Sequence, residues 1–358
     1  MTRMRIAFVA DPTHPNTDRW ARHLALGLSH DVTVLATKPA ERLAPTPYAV
    51  RRVPARGKLG YVALGWQLRS HLRAIRPELV IGYRIQSNGL AAALTGFHPL
   101  VLAAQTESIV WPPDSRLFRS TTRWAIRRAD LLQAWGGHMA ERLVELGASR
   151  ERILVLPRGV DTKTFTPPER PVTRPVFIVT RALRAVYRHD LLLAAFALVA
   201  ERHPDARLWI AGDGEERHRL SALTASLSLS SRVEFLGRLD ERALAGRLRE
   251  AAVYVTVVAQ EGVSSSLLEA MACGLVPVVP DLPGNREWVA DGVNGRLLPP
   301  AELDRPEAVA DVLEAVLRDG ALRESCHRDN PERVRRDADW VTNMSRMDAA
   351  YRRLVERD

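Results

Sequence analysis

Short apolar runs alternate with stretches of helical spacing along most of the 358-residue chain, and this alternation stops once and then restarts. The break is residues 166–175, with four prolines in ten positions, a composition suited to a linker. Before it, strands are predicted at 5–10, 32–36, 79–82, 100–104, 131–134 and 153–156. Helices are predicted at 17–29, 61–76, 116–129 and 138–146; the first carries Trp20, Leu24 and Leu28 on one face, and Pro77 ends the second. After the break, strands at 176–180, 207–211, 233–236, 253–258 and 276–279 alternate with helices at 190–202, 215–227, 240–251 and 265–273. Residues 340–356 read as a closing helix.

Strand–helix alternation with apolar strands is the pattern of a parallel sheet covered by helices on both faces. The expected fold class is therefore α/β, with two doubly wound Rossmann-like domains and a ligand cleft between them. The boundaries follow: 1–165, a linker at 166–175, 176–335, and a terminal helix at 336–358.

Hydrophobic residues make up 46% of the chain and charged residues 26%, which are the proportions of a packed protein. Two cysteines, Cys273 and Cys326, argue against a disulfide framework and for a reducing compartment. The first apolar run, 6–10, is too short for a signal peptide, and no apolar stretch of about 20 residues is present to span a bilayer. The expectation is a cytoplasmic protein, attached to a membrane at most peripherally at its inner face.

Charge is divided unevenly. Residues 1–160 hold 23 Lys/Arg and 11 Asp/Glu, a net +12; the rest holds 28 and 31, a net −3. The basic surplus points to an anionic surface or acceptor near the first half. Arg116, Arg119, Arg123 and Arg127 recur at helical spacing beside Leu117 and Trp124, and Arg51, Arg52, Arg56 and Lys58 form a second group. Both suit anionic headgroups or a lipid-linked acceptor, and both equally suit a solvated surface. No nucleic-acid-binding motif accompanies the charge, so no nucleic-acid partner is expected.

The run from Glu261 to Gly274, EGVSSSLLEAMACG, follows the apolar stretch 253–258. Ser264, Ser265 and Ser266 stand where a helix should begin, and a helix start offers unpaired N–H groups and a positive dipole end to a diphosphate. Glu261 precedes that helix and Glu269 lies about one turn inside it. Their carboxylates can bracket a ligand and accept bonds from vicinal hydroxyls. On spacing alone, a serine-capped helix with surface glutamates is an equal reading.

The stretch 253–300 closely resembles the signature of retaining family 4 glycosyltransferases of the GT-B fold. The resemblance rests on glutamates eight positions apart, Ala270-Met271-Ala272-Cys273-Gly274, Pro277-Val278-Val279, Gly284-Asn285-Arg286-Glu287 and Gly292-Val293-Asn294-Gly295. It extends to residues 156–161 with Phe165, to the turn 211–214, and to the strand and loop 233–238. It implies that the first domain is the acceptor side and the second binds the nucleotide sugar, with the last helix folded back on the first domain. It also implies roles: Glu269 on the ribose, Glu261 on the donor sugar, and backbone N–H groups near Ser265, Ser266 and Leu267 on the distal phosphate. Gly212 falls in the family's glycine turn, and Leu236, Gly237 and Arg238 should face the base.

Fixed cations must stabilise the departing diphosphate. The family supplies an arginine and then a lysine after the first strand of the second domain. Arg181 matches the arginine; the lysine is missing, and Arg184 or Arg188 is the candidate substitute. The family's Gly-Gly loop is replaced by 11–17, DPTHPNT, where His14 and Asn16 are acceptor-side candidates. Gln105 stands near a family histidine position and Glu107 beside it. No Asp-x-Asp motif or paired histidine spacing is present, so neither metal nor other cofactor is expected.

The implied activity is metal-independent, retaining transfer from a nucleoside-diphosphate sugar, with UDP favoured, to a hydroxyl of a glycan, lipid-linked or natural-product acceptor. A nucleotide-sugar epimerase or hydrolase on the same fold, and a nucleotide-sugar-binding protein without turnover, are the alternatives.

Overall fold

The computed structural model describes residues 3–37, 45–53, 60–104, 109 and 115–356. They form two compact units. Unit 1 is Met1–Pro157 with Met344–Asp358, and unit 2 is Arg158–Asn343.

Unit 1 is built on β1 (Arg5–Ala10), β2 (Asp31–Ala36), β3 (Ala49–Arg52), β4 (Leu79–Tyr83), β5 (Leu100–Ala103), β6 (Leu131–Ala134) and β7 (Ile153–Val155). These pair in parallel in the order β3-β2-β1-β4-β5-β6-β7. The chain winds outward from β1 to β3, returns to β4 and winds the other way. That reversal opens a crevice at the carboxyl ends of β1 and β4, where ligands of such sheets bind. Ile6 to Ala10 are wholly buried, because a central parallel strand is covered on both faces.

Unit 2 repeats the plan with β8 (Val176–Val179), β9 (Arg207–Ala211), β10 (Val233–Gly237), β11 (Val253–Val255), β12 (Val276–Pro280) and β13 (Arg296–Leu298). They are parallel in the order β10-β9-β8-β11-β12-β13, so the reversal lies between β8 and β11. Strand alternation divides the core: Phe177 and Val179 join one cluster with Phe196 and Leu208, while Val176 and Ile178 join another with Tyr254, Leu267 and Met271.

Several elements lie outside the sequence expectation. β3 is a four-residue edge strand containing Arg51 and Arg52, too short and too charged to show a buried alternation. β13 and the helices Leu90–Leu94, Pro306–Arg318 and Gly320–Ala338 were not anticipated. The helix expected at 17–29 is α-helical over Pro15–Arg22 and then widens to a π-helix over His23–Gly27. The strand expected to reach 258 ends at Val255, and Thr256 to Val258 continue as buried coil.

The divide between units falls after Pro157, and residues 166–175 are counted with unit 2. There Phe165 is 2% exposed and Val172 packs on the core. The helix Trp340–Val355 carries the chain into unit 1 at Met344. Inside unit 1, Tyr351 Oη donates to Gln133 Oε1 at 2.8 Å, and buried His30 Nε2 meets Asp348 Oδ1 at 2.8 Å. His30 Nδ1 accepts from the Met4 N–H at 3.2 Å, so the ring proton sits on Nε2 and is donated to Asp348.

Candidate functional site

The mouth of unit 2 lies at the carboxyl ends of β8 and β11. Arg181 follows β8, and Glu261 and Ser264 follow the coil after β11. One guanidinium nitrogen of Arg181, Nη2, donates to both Glu261 Oε1 and Ser264 Oγ. The two charged side chains are only 11% and 12% exposed. Burial disfavours the charge on Arg181, but Glu261 and the more distant Glu269 hold the guanidinium protonated, above its ordinary range. Burial raises Glu261 above the usual carboxylate range, with Arg181 opposing it. Tyr254, buried beneath the pair, is pushed up to about 12 by desolvation.

This pair is not fully satisfied. Arg181 Nε and Glu261 Oε2 are buried and have no hydrogen-bond partner among the described residues. A buried charged group left half-bonded costs free energy, so a donor and an acceptor stand ready for a ligand at the sheet reversal.

The helix Ser265–Ala272 starts here because Ser264 caps it: Ser264 Oγ accepts from the Leu267 N–H at 3.4 Å. Ser266 Oγ donates to the Thr180 carbonyl at 3.1 Å, pinning the helix start to the end of β8. The hydroxyls of Ser264 and Ser266 therefore hold the scaffold, and the Leu267 N–H is taken by the cap. The Ser265 and Ser266 N–H groups are left at the open turn. Glu269 lies half-buried in the same helix, near enough to act on the charge of Arg181.

Close glycine packing sets the loops. A Cβ at Gly212 would lie 2.0 Å from the Arg181 carbonyl oxygen, and one at Gly214 would lie 2.4 Å from that of Leu183. The Gly212 N–H donates to Gly237 O at 2.8 Å, and the Leu183 N–H donates to Asp213 O at 3.1 Å. The ends of β8, β9 and β10 are thus tied together. Gly284 does the same for the Glu261 loop, where a Cβ would meet the Gly262 backbone at 2.7 Å. Asn294 and Asn330 lock the turn after Trp288: Asn294 Nδ2 donates to Trp288 O and to Asn330 Oδ1.

The other sequence candidates separate by environment. Arg188 adopts a left-handed conformation (φ 53°) and pairs with Asp304. Arg184 is exposed and has no ion pair among the described residues. Gly237 is left-handed (φ 68°) with open space around it, and Arg238 beyond it is exposed. Sequence reasoning missed Tyr187, whose ring lies 5.5 Å from the Arg181 guanidinium carbon, and Tyr254, which is hidden inside an apolar strand.

The mouth of unit 1 is aromatic instead. Trp20 contacts Phe8 (5.1 Å between centroids), Tyr83 (6.0 Å) and Trp135 (5.5 Å), and His14 lies 6.2 Å from Tyr83. His14 Nδ1 accepts from the Asn16 N–H at 3.3 Å and caps the helix Pro15–Arg22, so both candidates build this helix start. Tyr83 Oη and Trp20 Nε1 are buried without hydrogen-bond partners among the described residues. Position was the missed signal: Tyr83 ends β4, and Trp135 follows β6 directly. Gln105, Glu107, Arg56 and Lys58 lie outside the described residues.

A family model described as Glycosyl transferases group 1 matches residues 160–333, and one described as Glycosyltransferase Family 4 matches residues 17–164. The chain is 30% identical over 220 residues to a phosphatidyl-myo-inositol mannosyltransferase of Mycolicibacterium smegmatis, covering 59% of this chain and 52% of that protein. It is 33% identical over 218 residues to a D-inositol 3-phosphate glycosyltransferase of Xylanimonas cellulosilytica, covering 55% and 51%. The matches thus span about half the length of these curated relatives. Among solved structures, sucrose-phosphate synthase of Thermosynechococcus elongatus superposes with a TM-score of 0.81 at 19% identity, over 99% of this chain and 100% of that one. Anabaena HepE in complex with UDP gives 0.78 at 17%, over 99% and 100%.

Proposed function

Because the chain belongs to the family 4 glycosyltransferases and has their GT-B fold, we propose that it transfers a sugar from a nucleoside-diphosphate donor, with retention at the anomeric carbon, to an acceptor hydroxyl. The observation that carries this reading is the buried Arg181–Glu261–Ser264 cluster at the β8/β11 reversal, with Arg181 Nε and Glu261 Oε2 unpartnered.

In this reading the diphosphate lies on the Ser265 and Ser266 N–H groups at the helix start. Arg181 stabilises the charge that develops as the sugar–phosphate bond breaks. Arg184 supplies the second cation in place of the family lysine, since Arg188 is engaged by Asp304. Glu261 holds donor-sugar hydroxyls, Glu269 holds the ribose, and residues 236–238 face the base. The departing diphosphate takes the acceptor proton on the face it leaves, so no protein nucleophile is needed. The charge is met by guanidinium and helix-terminal N–H groups, and turnover is expected to persist in a chelator.

UDP is the favoured donor base, supported by the solved neighbour bound to UDP. The relatives' names favour an inositol-type or lipid-linked acceptor, which suits action in the cytoplasm against the inner face of a membrane.

The test is thermal unfolding with UDP-glucose, UDP-N-acetylglucosamine, GDP-mannose and dTDP-glucose. One base class should stabilise the protein, by about 2.7 kcal/mol at a hundred times Kd. Glu269→Ala should abolish that shift. No stabilisation by any of the four, or an equal shift in Glu269→Ala, overturns the site. Sugar release without an acceptor would instead identify a hydrolase.

A further inference from the structure

Arg181 is held by more than its counter-charge. Its Nη2 is bonded to Glu261 and Ser264, and its guanidinium carbon lies over the ring of half-buried Tyr187, 5.5 Å from the centroid. A ring attracts a cation through its quadrupole, without the lone pair that a carboxylate would set on an N–H. Arg181 Nε accordingly keeps its proton without a partner among the described residues, although Tyr187 covers the group.

The local chain builds this placement. Leu183 is wholly buried; its N–H donates to Asp213 O at 3.1 Å and its carbonyl accepts from the Glu216 N–H at 3.0 Å. The chain then turns through the 3-10 segment Ala185–Tyr187, closed by the Tyr187 N–H on Arg184 O and the Arg188 N–H on Ala185 O, both at 3.0 Å. Arg188 follows in its left-handed conformation, which costs free energy for any residue but glycine, and the helix His189–Arg202 begins. His189 closes the loop from that end. Its ring is buried and lies 6.4 Å from the ring of Tyr187. Its Nε2 faces the Ala182 carbonyl at 3.0 Å, and a carbonyl only accepts, so Nε2 carries the ring proton. Burial, aided by the Arg181 charge, holds this imidazole below its ordinary range and keeps it neutral. Tyr187 is thus returned to Arg181 by a turn fixed at both ends.

The ring contact and the carboxylate contact differ in what a ligand does to them. Donor-sugar hydroxyls that engage Glu261 share its hold on the guanidinium. Phosphate oxygens approach a guanidinium in its plane, where the N–H groups point, and leave a ring over the cation undisturbed.

We propose that Tyr187 is a positioning residue for the diphosphate: its ring holds the Arg181 guanidinium so that the unpartnered Nε edge meets the distal phosphate of the bound nucleotide. The inference rests on the donor reading above and adds to it the group that sets the arginine's grip.

Titration calorimetry with UDP and UMP compares wild type, Tyr187→Phe, Tyr187→Leu, Arg181→Ala and the Tyr187→Leu/Arg181→Ala double variant, with the guanosine or thymidine pair used instead if that base gives the thermal shift. Wild type should bind the diphosphate more tightly than the monophosphate. Tyr187→Leu keeps bulk and loses the quadrupole, so it should weaken UDP roughly three- to ten-fold and UMP by less than about two-fold. A merely structural loss would weaken both alike. Tyr187→Phe keeps the ring and should recover most of the affinity for UDP. On the Arg181→Ala background the leucine should add less than about a two-fold loss, because the group it positions is gone. A wild type that binds UDP no better than UMP overturns the diphosphate site and this role together. A preference for UDP retained in full by Tyr187→Leu, a phenylalanine variant as weak as the leucine one, or an undiminished leucine effect without Arg181 overturns this role alone.

Discussion

Units 1 and 2 share one plan, a parallel sheet whose strand order reverses once, yet their two mouths hold different chemistry. At β8/β11 the crevice is polar and charged, with Arg181, Glu261 and a capped helix start set by glycine-packed loops. At β1/β4 it is a nest of Trp20, Tyr83, Trp135 and His14. The fold thus supplies a crevice in each unit, and the residues just past the strand ends decide what each can hold. A diphosphate needs fixed positive charge and N–H donors, and in the proposed reading Arg181 and the helix start of unit 2 supply them. In unit 1 the rings of Trp20, Tyr83 and Trp135 are themselves buried and shape the floor behind the crevice instead of lining it with charge.

The contrast is tested most severely at Arg181. Arg181→Ala should lower kcat by about 100- to 1,000-fold while nucleotide still stabilises the protein. A near-normal kcat would remove the distinction between the mouths.

Next in size is a test of whether the terminal helix belongs energetically to unit 1. Asp348→Ala leaves the His30 Nε2 proton buried without its acceptor and should destabilise unit 1 by about 3 kcal/mol in urea unfolding. The pH dependence has a definite sign. Burial alone would raise Asp348, but hydrogen bonds from His30 and Arg352 hold its carboxyl below the ordinary value of 3.8. Its contribution is therefore complete above about 3.8 and lost as pH falls through the lower folded value, so wild type and variant should converge in strong acid.

Gly212→Ala addresses the loops of unit 2. The added methyl would sit 2.0 Å from the Arg181 carbonyl oxygen, so the strand end must move. A loss of about 1–3 kcal/mol and a fall in kcat are expected. Wild-type turnover would show that Arg181 does not depend on this packing.

The smallest effect is expected in unit 1. Tyr83 Oη is buried without a partner among the described residues, so Tyr83→Phe should change stability by less than about 0.5 kcal/mol in urea unfolding. If the hydroxyl meets the acceptor, its KM should rise alone. A drop in stability above about 1 kcal/mol would show that the aromatic mouth is ordinary core.

How much was legible differs between the units for the same reason. In unit 2, Glu261, Ser264 and Glu269 sit within one short stretch, and Arg181 directly follows an apolar strand, so linear spacing reports the geometry. In unit 1, Trp20, Tyr83 and Trp135 come from three separate segments. His14 and Asn16 were visible as polar loop residues, but their use in capping a helix was not. β3 escaped because an edge strand with two arginines shows no alternation.

By itself, the sequence determined the two parallel sheets, because strands buried on both faces must be apolar throughout and the helices between them must be amphipathic. It also determined the serine-capped helix start after Glu261, which is local. Only the tertiary structure decided that Arg181 meets Glu261 across 80 positions and that Arg188 rather than Arg184 is tied to Asp304. These are contacts between residues far apart in the chain. Side-chain spacing encodes which face of its own element a residue occupies, and sheet order and packing choose what that face meets.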